Sequence, residues 1–213
     1  MKTTLYLVRH GTTYENLKRM FQGTIDSALT EDGIRQAEEL GKYFKDIHLD
    51  VAYMSPLSRA VRTMEGVLRY HPEVKSEIVE GLIEINGGLL QGLTFDECNR
   101  RYDNIMLKFR EESANFAAPG GESMADVYRR FTSCVNELMR RNPGKAVVIV
   151  AHGTVIQTWL SYAQGYAEDD VHFQFLPNGA VSVFHWDENW KLEIEKIGDI
   201  SYMEKKPEDL IIP

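Results

Sequence analysis

The sequence predicts an α/β fold, a three-layer αβα sandwich on a mostly parallel sheet, and three observations carry that prediction. Two short apolar runs, Leu5-Tyr6-Leu7-Val8 and Ala146-Val147-Val148-Ile149-Val150, read as strands buried on both faces, as in parallel sheets. Between and after them lie segments of helical periodicity, the alternation of elements that builds such a sheet. Both runs end in the same residues, His10-Gly11-Thr12 and His152-Gly153-Thr154. Two parallel strands finishing this way would bring two imidazoles to one carboxyl edge, which is where open α/β sheets bind ligands.

Taken in order, Gly11 lets the chain turn sharply and approach a ligand, and Thr12 and Thr13 suit the cap of a following helix, whose amides favour an anion. Residues 14–30 read as a long, polar, irregular connection. Thr30 is the expected N-cap of a helix from about Glu31 to Lys45, with Ile34, Ala37, Leu40, Gly41 and Phe44 on its buried face. Asp50-Val51-Ala52-Tyr53-Met54 is a short strand. Ser55-Pro56 then reads as a helix start, Ser at the cap and Pro at the first helical position. Arg59 follows in the first turn, where the helix already carries positive partial charge, so a cation there implies a nearby anion. Arg62 reads as a solvated helix residue.

Ser76-Glu77-Ile78-Val79 is a third strand leading to Glu84, which stands between Ile83 and Ile85. That apolar surround favours the neutral carboxyl a general acid needs. Thr94 with Glu97 forms a capping box for a helix running to about Glu112. Residues 86–122, with the aromatic and basic residues Arg100, Arg101, Tyr102, Phe109 and Arg110, are predicted to form a lid over the pocket where specificity resides, each arginine being equally well read as part of a solvated basic face. Ser123 caps the next helix, which buries Val127, Phe131, Val135 and Leu138 and ends at Asn142-Pro143-Gly144. After the second His strand and its helix, Pro177-Asn178-Gly179 introduces an antiparallel edge hairpin. Val181, Val183 and either Phe184 or Trp186 alternate on its first strand, and Trp190, Leu192, Ile194 and Lys196 on its second. The tail from Asp199 to Pro213, ending in Leu210-Ile211-Ile212, is expected to pack on the body or fray.

The 213 residues suit one domain over 1–213 with an inserted lid, and 43% hydrophobic with 26% charged residues is ordinary for a globular chain. A net charge of −8 argues against a broad basic face for nucleic acid. No run approaches the roughly 18 apolar residues of a membrane span, and no signal segment opens the chain, so a cytoplasmic location is expected. Cys98 and Cys134 lack metal-like spacing and read as reduced structural thiols. No metal and no cofactor is expected, and the sequence leaves a homo-oligomer open.

Arg9-His10-Gly11 followed by Asn16 resembles the signature of the histidine phosphatase superfamily, the phosphoglycerate mutase-like enzymes. Four more segments match in order: Gln22-Gly23 with Asp26 and Leu29-Thr30; Ser55-Pro56-Leu57-Ser58-Arg59-Ala60 with Thr63; Glu84 and the glycines after it; and Ala151-His152-Gly153. The resemblance implies a small-molecule phosphate ester as substrate and a phosphohistidine formed on His10. It implies that Arg9, Arg59 and a protonated His152 surround the phosphoryl oxygens and that Glu84 is the general acid and base. Asn16, Gln22, Gly23, Gly153 and Thr154 would touch the phosphate or substrate. The mutases of the family resemble one another in a longer lid with extra arginines and tyrosines after this Glu, whereas here Ile85-Asn86-Gly87-Gly88-Leu89-Leu90 is small and largely apolar. That departure favours a phosphatase, similar to the alpha-ribazole phosphatase and fructose-2,6-bisphosphatase branches. The alternatives are a phosphoglycerate mutase and an inactive regulator that binds phosphorylated ligands; the loss of a His, the Arg or the Glu that marks such regulators is not seen.

Overall fold

A computed structural model describes residues 2–205, so the Leu210-Ile211-Ile212 end of the chain lies outside the described residues. Six strands, β1 (Thr3–Arg9), β2 (Val51–Met54), β3 (Lys75–Ile78), β4 (Ala146–Ala151), β5 (Val181–Trp186) and β6 (Leu192–Asp199), form one sheet in the order β3-β2-β4-β1-β5-β6. The first four are mutually parallel; β5 joins β1 antiparallel and β6 closes the edge as its hairpin partner. Helices α2 (Glu31–Phe44) and α3 (Ser58–Leu68) cover one face, and α6 (Met124–Arg140) and α7 (Gly153–Ala163) the other. Between Glu84 and α6 the chain runs through α4 (Phe95–Arg101) and α5 (Ile105–Glu111), while a single turn, α1 (Tyr14–Leu17), follows β1.

The strands are apolar throughout because both faces are core. In β1, Leu5 and Leu7 join the cluster under α6 and α7, while Val8 joins the one under α2 and α3; in β4, Val147 and Ile149 face the first and Val148 and Val150 the second. β5 follows the same rule, with Val181 and Val183 on one face and Phe184 and Trp186 on the other. Phe184 and Trp186 thus do not share a face with the valines.

Four local expectations change. Thr13, with Asn16, makes a capping box for α1, so the connection after β1 is not wholly irregular. Ser55 is not a helix cap: α3 starts at Ser58 after Leu57, and the Ser55 hydroxyl turns to His152 instead. The helix expected over 94–112 breaks at Asp103 and Asn104, both left-handed with φ of 46° and 55°. Short polar side chains tolerate that conformation, which separates α4 from α5. Ile34 is half exposed, while Ala37, Leu40, Gly41 and Phe44 carry the buried face of α2. The capping boxes at Thr94 and Ser123 form as the sequence implies.

The turn after β1 is held by backbone packed on backbone. A Cβ on Gly33, in the first turn of α2, would lie 2.1 Å from the Thr12 carbonyl oxygen, and one on Gly11 would lie 2.7 Å from that of Gly33. Thr12 N donates to Gln36 Oε1 at 2.8 Å and Thr30 N to Thr12 O at 2.9 Å, which completes the seam. Gly33→Ala is expected to destabilise the protein by about 1–3 kcal/mol through overpacking. Denaturant unfolding measures this, and an unchanged midpoint would mean that α2 can retreat from the turn.

Candidate active site

The parallel register of β1 and β4 pairs Arg9 with Ala151, so the next residues, His10 and His152, leave the sheet side by side with ring centroids 5.1 Å apart. Both rings are buried, and their hydrogen bonds define different tautomers. His10 Nδ1 lies 2.7 Å from Gly11 O; a carbonyl only accepts, so Nδ1 carries the proton and Nε2 keeps its lone pair. His152 Nδ1 accepts from Arg59 Nε at 3.2 Å, which leaves Nε2 to donate to Ser55 Oγ at 2.6 Å. The ring of His152 is therefore neutral rather than protonated as the sequence suggested, because a guanidinium already fills one of its nitrogens. Burial, reinforced by the charges of Arg59 and Arg9, pushes His10 well below the ordinary imidazole range, and burial and Arg59 do the same to His152.

Arg59 is almost wholly enclosed. Beyond His152 it donates from Nη1 to Ile25 O and from Nη2 to Gly23 O, each at 2.8 Å. Gly23 sits at φ 53°, and a Cβ there would strike Gln91 Oε1 at 2.2 Å, so this carbonyl can face Arg59 only from a glycine. Arg9 donates from Nη1 to the Leu176 carbonyl, while its buried Nε has no hydrogen-bond partner. Burial lowers both guanidinium groups to about 10, with the nearby Glu84 charge opposing the shift. Both stay charged at neutral pH. A buried cation with an unused donor is suited to an oxyanion, which would satisfy both at once.

Glu84 lines the same cavity, near enough to Arg9 and Arg59 for its charge to act on both. Its surround is not the apolar one expected: Oε1 accepts from Ile85 N at 2.9 Å and Val155 N at 3.2 Å, and Oε2 from Thr154 N at 3.1 Å. Its carboxylate thus caps the amino end of α7. Thr154, expected to hold phosphate, has its amide committed to Glu84, although the residue still lines the cavity with Gly153. Asn16 and Gln22 line it too, with Asn16 Oδ1 and Gln22 Oε1 within 2.9 and 3.0 Å of Thr13 Oγ1. Their amide NH2 ends point elsewhere. The sequence-predicted residues His10, Glu84, Arg9, Arg59, Asn16, Gln22, Gly23, Gly153 and Thr154 all line one pocket open to solvent, with His152 behind His10 and Arg59.

Three supports were missed in the sequence. Asn178 is buried and donates from Nδ2 to His10 O at 3.0 Å and Gly11 O at 3.3 Å, bracing the carbonyl that fixes the His10 tautomer. Arg130 clamps the Glu84 segment: its fork takes both oxygens of Glu122 at 2.9 and 3.0 Å, and it donates to Gly81 O, Ile83 O and Glu84 O at 3.1, 2.9 and 3.4 Å. The connection from α7 to β5 supplies part of the wall through Phe173, Gln174, Phe175 and Leu176. From the segment 86–122, Phe95, Met106 and Phe109 reach the cavity, but Arg100, Arg101 and Arg110 do not line it. Cys98 and Cys134 stand apart, both thiols pushed up to about 11, chiefly by burial. Among the described residues no group of His, Cys, Asp and Glu is placed to hold a metal ion, and no helix is long and apolar enough to cross a membrane.

The sequence model of the histidine phosphatase superfamily (branch 1) matches residues 5–199. A 2,3-bisphosphoglycerate-dependent phosphoglycerate mutase of Bartonella bacilliformis is 30% identical over 92% of this chain and 98% of its own. Among solved structures, YhfR of Bacillus stearothermophilus superposes with a TM-score of 0.85 at 32% identity, covering 93% of this chain and 98% of that one. A phosphoserine phosphatase mutant of Entamoeba histolytica in complex with phosphoserine gives 0.82 at 27% identity, over 94% and 98%.

Two outcomes follow from the geometry. His10 and His152 are neutral when folded and take up protons when unfolded below about 6.5, the free imidazole value. The unfolded chain then binds more protons, so stability contributed by these rings is whole above that pH and is lost as pH falls below it. His10→Asn should flatten this acid slope in denaturant titrations, and a slope that persists unchanged would place the proton uptake elsewhere. Arg130→Lys keeps the charge but not the fork, and is expected to lower kcat about tenfold or more through a displaced Glu84 while KM holds. An unaltered kcat would show that the segment holds itself.

Proposed function

Since the chain belongs to the histidine phosphatase superfamily (branch 1), we propose that it is a metal-independent phosphatase hydrolysing small-molecule phosphate monoesters through a phosphohistidine on His10. The observation that carries this is the His10 tautomer. With Nδ1–H spent on Gly11 O, Nε2 is an unprotonated nucleophile beside two buried guanidinium groups. Nε2 attacks phosphorus and the ester P–O bond breaks, while Arg9 and Arg59 stabilise the charge on the equatorial oxygens, the part a divalent cation plays elsewhere. The free Nε of Arg9 supplies one donor for that charge. Neutral His152 fixes Arg59 and Ser55 in place, and the NH2 ends of Asn16 and Gln22 remain for the phosphoryl oxygens.

Glu84 handles the proton. Like-charge repulsion between an arriving phosphate and the carboxylate favours a proton shared between them, which then passes to the departing alcohol. In the second half Glu84 takes a proton from water, the water oxygen attacks phosphorus, the N–P bond breaks, and His10 returns to its starting tautomer.

Hydrolysis rather than transfer to a second hydroxyl is favoured by the stretch after Glu84. Of residues 85–90 only Ile85 lines the cavity, and the rest closes a short turn at Gly88–Leu90, so this stretch offers no side chain to hold an acceptor hydroxyl. On this reading the segment 86–122 is a lid that contributes wall rather than charge.

The test is phosphate release from p-nitrophenyl phosphate in EDTA. The parent protein is expected to turn over and to yield acid-labile phosphate on His10, and His10→Ala to lose activity by about a thousandfold or more. Loss of turnover in the chelator would sink the metal-independent reading. Glu84→Gln should slow esters with poor leaving groups most, since these need the proton. 3-Phosphoglycerate with a trace of 2,3-bisphosphoglycerate should be dephosphorylated and not isomerised.

A further inference from the structure

The geometry points to the substrate class: we propose that the cavity selects monoesters of apolar or aromatic, uncharged alcohols over those carrying a carboxylate. This rests on the phosphatase reading and goes beyond it. The charged side chains lining the pocket are Arg9, Arg59 and Glu84, and all three surround the place of phosphorus transfer. Among the described residues no lysine and no further arginine lines the remainder, so a carboxylate on the alcohol would lose its water and find no cation there.

Two of the uncharged polar side chains there are held by other side chains. Gln174 and Gln164 exchange amide hydrogen bonds at 2.8 and 3.2 Å, and Gln157 Nε2 donates to Ser113 Oγ at 3.4 Å. Most of what is left facing the alcohol is carbon. Phe95, Phe173 and Phe175 are only half-buried, and behind them Phe109 is packed edge-on against Phe173 at 5.9 Å. Aromatic rings left partly open to solvent at the mouth of a pocket gain most by covering an apolar group. A site built of apolar wall with few converging polar groups is also what a small organic ligand needs for orientation. The relatives named for phosphoserine and phosphoglycerate act on alcohols that bear carboxylates, and this wall offers no counterpart for one.

The experiment compares 2-phenylethyl phosphate with O-phosphoserine, both monoesters of primary alcohols. kcat/KM is expected to favour the phenylethyl ester by about tenfold or more. A ratio of one or below would overturn the assignment. Inhibition by 3-phenylpropylphosphonate against 2-amino-4-phosphonobutyrate reads the wall without any turnover. Tighter binding of the phenyl compound supports the proposal even if no ester is hydrolysed, in which case the phosphatase reading alone falls. Equal or reversed binding overturns the proposal whatever the turnover. Phe173→Ala, at a half-buried position, should narrow both ratios, and Phe173→Arg should shift them toward the carboxylate compounds; a preference untouched by either substitution would remove Phe173 from the wall and the assignment with it.

Discussion

The structure depends on one alignment, the parallel pairing of β1 and β4 that sets Arg9 opposite Ala151. A slip of one residue would turn every side chain of β1 to the other face, placing Leu5 and Leu7 under the wrong helices and moving His10 away from His152. The alignment is secured far from the chemistry, by apolar side chains filling two cores at once. The site thereby inherits its precision from packing that has nothing to do with phosphate.

A consequence of that alignment is an electrostatic problem which the residues around it resolve. Two guanidinium groups and two imidazoles are brought together out of water, and four positive charges there would be untenable. The imidazoles yield: burial and the charges of Arg59 and Arg9 keep His10 neutral, with its Nδ1–H donated to Gly11 O, and burial and Arg59 keep His152 neutral, with its Nδ1 accepting from Arg59. Glu84, anchored on the first amides of α7, sets one negative charge against the remaining two positive ones. The cluster therefore keeps net positive charge, which suits an anion, and leaves the His10 ring unprotonated near neutrality.

How much of this was legible in the sequence follows from how local each cause is. The paired His-Gly-Thr strand ends gave the two imidazoles, and the misplaced cation at the start of a helix marked Arg59. Ser55 was misread because Ser-Pro is a sound cap signal, and nothing nearby reveals that a histidine 97 positions away claims the hydroxyl. Asn178 and Arg130 support the site through main-chain carbonyls 168 and about 47 residues off, and such partners leave no trace in a local pattern. The arginines of residues 86–122 stayed open between pocket and solvent for a related reason: a basic residue on a short helix looks alike whether it faces ligand or water, and Arg100, Arg101 and Arg110 do not line the pocket. The break between α4 and α5 was visible in Asp103-Asn104 to a reader alert to left-handed turns.

The pocket thus has two parts built under different constraints. Its phosphoryl end is fixed by strand ends, helix starts and buried hydrogen bonds, where a single displaced carbonyl would alter a tautomer. Its outer wall comes from the segment 86–122 and from the connection after α7, neither of which contributes to the sheet. Among the bonds that join them is that from Arg9 to the main-chain carbonyl of Leu176. Because that acceptor is backbone, the side chains at 173–175 can change without releasing Arg9. Relatives named as a phosphoglycerate mutase and as a phosphoserine phosphatase are 30% and 27% identical to this chain. On the reading proposed above, it is this outer wall, and not the end that holds phosphorus, that sets which alcohol is accepted.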